Sequence, residues 1–70
     1  MQSINYCKET NPEGGVDLFL ADGLTIKCLI DQMHSVYTYD GRYIVLGTDD
    51  GLVAIEIFDG EGKYLTGVSL

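Results

Sequence analysis

The sequence predicts an all-β protein, a small antiparallel meander of about six or seven strands that forms a rolled sheet, a barrel or a sandwich. Apolar segments rich in β-branched and aromatic residues run through the chain, and Asp-Gly pairs at residues 22–23, 40–41, 50–51 and 59–60 separate them. Asp-Gly is the strongest short-range hairpin signal, because Gly reaches the positive φ of a type I′ turn without a steric clash. The 70 residues are expected to form a single domain.

The N-terminal segment is predicted to contain an edge strand followed by a loop. Residues 1–8 alternate weakly between polar and apolar side chains, as in a strand at the edge of a sheet. Residues 9–15 contain Pro12 and two glycines and are predicted to form a loop. At seven residues, this loop is longer than a tight hairpin needs.

Residues 16–30 are predicted to form a hairpin around a two-residue turn, Asp22-Gly23. Residues 31–34 then interrupt the strand pattern and predict a crossing connection or at most one short helical turn. The hairpin pairs implied by the turn are Leu20 with Thr25, Phe19 with Ile26, and Leu18 with Lys27.

Residues 35–70 are predicted to form a four-stranded meander. Its last turn contains Gly62 at the position where a type I turn followed by a G1 bulge needs a left-handed residue. A plain two-residue turn at Gly60-Glu61 is the alternative, but the bulged turn keeps apolar residues opposite each other and is preferred. The preferred turns imply the pairs Tyr37 with Ile44, Val36 with Val45, Leu46 with Ile55, Ile44 with Ile57, Phe58 with Tyr64, and Ile57 with Leu65.

Both faces of this meander are predicted to be mainly apolar. A sheet that packs on one side alone normally alternates apolar and polar residues, so the second face is expected to be covered by another molecule. We expect a homo-oligomer, with a two-fold dimer favoured. One face is predicted to hold Tyr37, Tyr39, Ile44, Leu46, Val53, Ile55, Ile57 and Leu65. The other is predicted to hold Val36, Tyr43, Val45, Ala54, Phe58, Tyr64 and Val68, interrupted by Thr38 and Glu56.

Eleven acidic residues and four basic ones give the chain a formal net charge of -7. This balance argues against direct binding to nucleic acid, because affinity for phosphate backbones comes from clustered Lys and Arg. An acidic surface instead favours a protein partner with a basic surface. The sequence shows neither a signal-peptide pattern nor an apolar run long enough to span a membrane, so we expect no membrane association and a cytoplasmic location.

The sequence contains no recognisable catalytic or metal-binding motif. His34 is the only histidine, and Cys7 and Cys28 are the only thiols. No nucleophile elbow, glycine-rich phosphate loop or paired metal-ligand spacing accompanies these residues. We therefore expect both cysteines to be reduced, half-buried core residues, with a Cys7–Cys28 disulfide possible only in an oxidising compartment. We also expect a protein that is not an enzyme and needs no cofactor or metal.

The candidate partner-binding residues are carboxylates at the predicted turns and tyrosines on the predicted strands. Carboxylates provide charge complementarity to a basic surface, and tyrosine joins a large apolar area to a polar tip, as is typical of interfaces. Structural roles compete with this interpretation, because Asp-Gly also serves turn geometry. The candidates are Asp40, Asp49, Asp50, Asp59, Glu61, Tyr37, Tyr39 and Tyr43.

Residues 42–65, RYIVLGTDDGLVAIEIFDGEGKYL, resemble the inner strands of one β-propeller blade, which implies a twisted meander. In size, acidity and lack of a catalytic motif, the chain resembles the small inhibitors that phages and mobile elements make against host defence complexes, among them the anti-CRISPR proteins. This resemblance implies a non-enzymatic inhibitor, encoded by a phage or mobile element, that blocks a basic surface of a nucleic-acid-binding partner in the host cytoplasm. A self-assembling accessory β-module and an oligomeric small-molecule-binding protein are the alternatives.

Overall fold

The computed structural model of the protein describes residues 1–70 and confirms the all-β fold, with eight strands in two antiparallel sheets. One sheet has five strands and the other three, and the two do not close into a barrel. The structure contains no helix that is long and apolar enough to cross a membrane. The strands are β1 (Gln2–Ser3), β2 (Tyr6–Thr10), β3 (Val16–Leu20), β4 (Thr25–Cys28), β5 (Gln32–Tyr39), β6 (Arg42–Asp49), β7 (Leu52–Phe58) and β8 (Tyr64–Ser69). Their orders are β1-β5-β6-β7-β8 and β2-β3-β4.

The N-terminal segment forms two strands in place of the single edge strand predicted for residues 1–8, which brings the strand count to eight. β1 pairs with β5, and the chain then crosses to the other sheet, where β2 pairs with β3. β2 extends to Thr10, so the loop predicted over residues 9–15 is shorter. It is a tight turn, in which the Asn11 N–H donates to the Gly15 carbonyl at 3.0 Å.

The register predicted for the first hairpin is wrong by one residue. Phe19 pairs with Thr25, because the turn contains three residues, Ala21-Asp22-Gly23, and the Leu20 N–H closes it by donating to the Leu24 carbonyl at 2.9 Å. A shift of one residue exchanges the faces of a strand, so this register gathers the apolar residues of both strands on one face. Those residues, all buried, are Val16, Leu18, Leu20, Ile26 and Cys28.

No helical turn forms over residues 31–34, because β5 begins at Gln32. A β-bulge between Met33 and Ser35 leaves one extra residue, His34, in the pairing with β6. Strict alternation would send Met33 and Val36 to opposite faces of the strand. With the bulge, both side chains are buried in the core.

The first two turns of the meander form as predicted. Asp40 and Asp50 adopt positive φ, at 52° and 53°, and each is followed by a glycine that also has positive φ, as a type I′ turn requires. The confirmed pairs of the meander are Tyr37 with Ile44, Val36 with Val45, Leu46 with Ile55, Ile44 with Ile57, and Phe58 with Tyr64.

The last turn has the predicted glycine but a different register beyond it. Gly62 has a φ of 86°, and the pairing of β7 with β8 shifts next to this turn. The predicted pair Ile57 with Leu65 is wrong, since Ile57 lies opposite Thr66 and Leu65 is the extra residue of a bulge. The same shift moves Val68 to the face opposite the one predicted.

The core lies between the two sheets and is built from one face of each. Eleven apolar residues are buried there, and no residue of β1 or β8 is among them. All six residues of β8 are exposed, so the three-stranded sheet covers the centre of the larger sheet and leaves its β8 side open. The buried residues are Val16, Leu18, Leu20, Ile26, Cys28, Ile30, Met33, Val36, Val45, Ala54 and Phe58.

Candidate protein-binding surface

The five-stranded sheet has one face that no other part of the chain covers, here called the outer face. Residues that pair across neighbouring strands share a face of the sheet, so the register assigns each side chain to one side. The outer-face residues are half-buried or exposed, in contrast to the core residues between them. Arg42, at one end, is the only charged residue of the strands on this face. The apolar and tyrosine members are Tyr37, Tyr39, Ile44, Leu46, Val53, Ile55, Ile57 and Val68.

The inner face of the same sheet carries a buried carboxylate. Glu56 is 6% exposed and lies in the middle of β7, opposite Val45 on β6. Its Oε1 accepts a hydrogen bond of 3.0 Å from the backbone N–H of Leu29, in the connection between β4 and β5. Burial raises the pKa of the Glu56 carboxyl above its ordinary value, the hydrogen bonds from the Leu29 and Ile30 backbones lower it, and the nearby negative charge of Asp49 raises it.

The arrangement of the two faces is unusual for a sheet in water. The face that contains a carboxylate is buried, and the face without an acidic residue in its strands is exposed to solvent. Burying a carboxylate costs free energy unless hydrogen bonds compensate for the lost hydration. Covering an exposed apolar sheet face, in contrast, lowers the free energy. The outer face therefore has the character of a surface that binds another molecule.

Two acidic turns meet at one end of the outer face. In a flat sheet, turns that are two strand spacings apart are separated by roughly 10 Å. In the structure the turns touch, since a Cβ on Gly60 would lie 3.0 Å from the carbonyl oxygen of Gly41. This contact brings together the turns that carry Asp40, Asp59 and Glu61.

The three carboxylates of this end differ in their bonding. Asp59 Oδ1 accepts hydrogen bonds of 2.9 Å from the backbone N–H groups of Lys63 and Glu61. The hydrogen bonds from Lys63 and Glu61 hold the pKa of the Asp59 carboxyl below its ordinary value. Asp40 pairs with Arg42 at 3.2 Å, and both side chains are largely exposed. Asp59 is thus part of the turn, while Asp40 and Glu61 present their charges to solvent.

The opposite end of the sheet carries Asp49 and Asp50, and the structure separates them. The backbone N–H of Asp50 donates to Oδ2 of Asp31 at 3.0 Å, which connects the β6–β7 turn to the start of β5. Asp49 pairs with Leu52 on the inner side of the sheet and is half-buried. Of the two, only Asp50 is exposed, at the rim of the outer face.

The three candidate tyrosines also divide between the faces. Tyr37 is half-buried and Tyr39 is 59% exposed, and both lie on the outer face. Tyr43 pairs with Phe58 on the inner face and packs against the core, so it does not share the outer face. Tyr64, which was not a candidate, also lies on the inner side, with its ring edge-on to Phe58 at 5.8 Å.

The residues capable of nucleophilic chemistry are not brought together. Cys7 is exposed on β2, opposite Phe19, so the prediction of a half-buried core residue is wrong for Cys7. Cys28 is buried on the other face of the same three-stranded sheet. Burial, with the nearby charges of Glu56 and Asp17, raises the pKa of the Cys28 thiol to about 12. The His34 carbonyl accepts from the Tyr6 hydroxyl at 3.2 Å, and the His34 ring makes no hydrogen bond. No group of three or more His, Cys, Asp or Glu side chains is placed to hold a metal ion.

Sequence reasoning missed the structural role of Glu56 and the exposure of β8. A single carboxylate within an apolar strand is a sequence signal for a buried hydrogen-bond acceptor, and Glu56 has that signature. The exposure of β8 has no comparable signal, because its apolar content resembles that of the buried strands.

A comparison with models of known protein families, with curated proteins and with solved structures finds no match. The fold and this surface define a small all-β protein with an uncovered apolar sheet face and acidic turns at its ends.

Proposed function

We propose that the protein is a non-enzymatic binding protein whose outer face docks on a partner protein with an apolar patch bordered by Lys and Arg. The observation that carries the proposal is the exposed outer face, which lacks acidic residues in its strands while Glu56 is buried on the inner face. Apolar and tyrosine side chains supply the contact area, and the exposed carboxylates at the strand ends supply charge complementarity.

The charge distribution supports a basic partner. Only two ion pairs form within the chain, Asp17 with Lys27 at 3.8 Å and Asp40 with Arg42 at 3.2 Å. Most of the eleven acidic residues are therefore available to a partner, and the net charge of -7 attracts basic surfaces over a distance of several ångströms.

The basic surfaces of nucleic-acid-binding proteins have the required chemistry, because they bind phosphates through clustered Lys and Arg. A protein that occupies such a surface competes with nucleic acid and inhibits the partner. This mode of action suits a small inhibitor encoded by a phage or mobile element and directed at a host defence or regulatory protein.

The test is capture of partners from a lysate of the native host, with two pairs of matched variants. Val53→Asp changes the outer face, and its control Phe19→Asp changes a similarly exposed apolar residue on the other sheet, at 40% exposure against 47%. Asp40→Asn with Glu61→Gln removes two exposed turn charges, and Glu9→Gln with Glu13→Gln removes two charges elsewhere.

The expected result is a partner that binds the wild type and both controls but binds each test variant at least about tenfold more weakly. The captured partner, in the absence of this protein, should bind nucleic acid, and it should lose that binding when this protein saturates it. Added salt should weaken the complex between this protein and the partner. A partner that binds nucleic acid equally well in the complex, or binding that is equal for Val53→Asp and Phe19→Asp, would overturn the proposal.

A further inference from the structure

The free edge of the five-stranded sheet at β8 has little protection against pairing with another strand. The strand has six residues, all exposed, and the segment 64–70, YLTGVSL, contains neither a charged residue nor proline. Proteins normally protect exposed strand edges with charges, prolines, bulges or short length, because unpaired N–H and C=O groups recruit another strand. The bulge at Leu65 lies at the start of β8 and leaves the rest of the edge regular.

The other three sheet edges of the protein differ from β8. β1 has only two residues, and β4 has four and carries Lys27 at its centre. β2 carries Lys8 and Glu9. β8 is thus the one edge that combines length with an uncharged sequence, and this contrast indicates a pairing surface.

The direction of the backbone groups can be read from the pairing with β7. The Leu70 N–H donates to the Val53 carbonyl at 2.8 Å, so Leu70 points its backbone groups toward β7. Backbone groups alternate in direction along a strand, so Val68 and Thr66 also point toward β7. Gly67 and Ser69 therefore direct their N–H and C=O groups to the free edge.

We propose that two copies of this chain pair antiparallel along β8 around a two-fold axis at Gly67. In this register Leu65 of one copy lies opposite Ser69 of the other, Gly67 lies opposite Gly67, and Thr66 lies opposite Val68. The register brings together the outward-pointing residues and forms about four to six backbone hydrogen bonds. A two-fold axis through a sheet edge makes the same strand serve both copies, so the edge needs no second partner surface.

The charge of the chain does not oppose this pairing locally, because residues 64–70 carry none of the acidic residues that give the net charge of -7. The two-fold axis runs perpendicular to the sheets, so the outer faces of both copies form one continuous surface. Edge pairing alone buries less than the roughly 1,200 Å² of a stable interface, so the dimer is a weak one that forms at micromolar concentrations or above. This inference needs no partner, and its test is independent of the function proposed above.

The test exploits the pairing of Thr66 with Val68 of the second copy, which occurs twice around the axis. Thr66→Glu with Val68→Glu, and Thr66→Lys with Val68→Lys, place like charges opposite each other in both pairs. Thr66→Lys with Val68→Glu places opposite charges there. The three double variants thus have the same two exposed positions changed, and they differ only in sign.

Sedimentation equilibrium should give a wild-type dimer with twice the monomer mass. The two like-charge variants should dimerise at least about tenfold more weakly than the opposite-charge variant. A wild type that is monomeric at about 100 µM would overturn the proposal. Three variants that dimerise equally weakly would also overturn it, because that result is expected of a dimer formed through the outer face.

Hydrogen exchange on the wild type gives a readout that needs no variant. The Gly67 and Ser69 amides point to the free edge and should exchange rapidly in dilute protein, then slow as concentration rises through the dimerisation range. The Val68 amide, which points toward β7, should exchange at a rate that depends little on concentration. Gly67 and Ser69 exchange that is rapid at every concentration would contradict the pairing.

Discussion

The backbone N–H of Leu29 donates a hydrogen bond of 3.0 Å to Oε1 of Glu56, across 27 positions of sequence. The bond joins the connection between the two sheets to β7, an inner strand of the meander. It explains why the sheet buries its carboxylate-bearing face, because a connection that leaves regular pairing needs an acceptor for its backbone donors.

Glu56→Ala should lower the free energy of unfolding by about 1–3 kcal/mol, because it leaves the Leu29 N–H unpaired in a partly buried site. Glu56→Gln keeps a carbonyl oxygen at the same place and should lose less. Urea unfolding measured by circular dichroism gives both values. Equal losses for the two variants would mean that the hydrogen bond contributes nothing.

Stability should depend on the ionisation of Glu56 with a definite sign. The folded-state pKa of Glu56 is raised above the ordinary value of 4.5, so the folded protein binds this proton more tightly than the unfolded chain does. The resulting stabilisation is complete at low pH and is lost as pH rises through the interval from the ordinary value to the raised one. The free energy of unfolding of the wild type, taken relative to Glu56→Gln, should therefore fall as pH increases above 4.5. A flat or rising difference would contradict the raised pKa.

The two cysteines should react with thiol reagents at very different rates. Cys7 is exposed, whereas Cys28 is 3% exposed and its thiol pKa is about 12, so the reactive thiolate of Cys28 is scarce at neutral pH. Ellman's reagent should modify one thiol per native chain promptly and the second only after urea is added. Cys7→Ser should remove the rapid phase and Cys28→Ser should leave it, and prompt reaction of both thiols in the native protein would be inconsistent with this packing.

Gly47→Ala should destabilise the protein severely. An added Cβ would overlap the Gln32 carbonyl oxygen and the Ile30 Cδ1, where β6 passes the start of β5. We expect a loss of at least about 2 kcal/mol in the free energy of unfolding, or failure to fold. Thr48→Ala changes the next residue on the half-exposed opposite face and should cost less than about 1 kcal/mol. A Gly47→Ala protein as stable as the Thr48→Ala protein would contradict the close packing.

Much of the meander can be predicted from the sequence, because short segments of the chain specify its turns and its strand pairing. Asp40-Gly41 and Asp50-Gly51 specify tight turns, and a tight turn sets the register of the two strands that it joins. The registers on both sides of β6 are therefore confirmed. The registers also imply which face each candidate tyrosine occupies: Tyr37 and Tyr39 lie on the outer face and Tyr43 on the inner face, as predicted.

The errors arose where the same residues fit two local structures. Gly23 takes a positive φ of 93° and serves a three-residue turn as well as a two-residue one, so Asp22-Gly23 did not determine the register of the first hairpin. Two features distinguish the three-residue turn from the two-residue one. They are the pairing of Asp17 with Lys27 and the buried row that begins at Val16.

The sequence by itself determined the all-β class, the turns of the meander and most of its pairing, because hydrophobic alternation and Asp-Gly turns act over a few residues. Only the tertiary structure decided which face of the five-stranded sheet is buried. Both faces carry similar numbers of apolar residues, so hydrophobic burial alone does not choose between them. The choice depends on contacts distant in sequence, namely the cover of the three-stranded sheet and the hydrogen bond from Leu29 to Glu56.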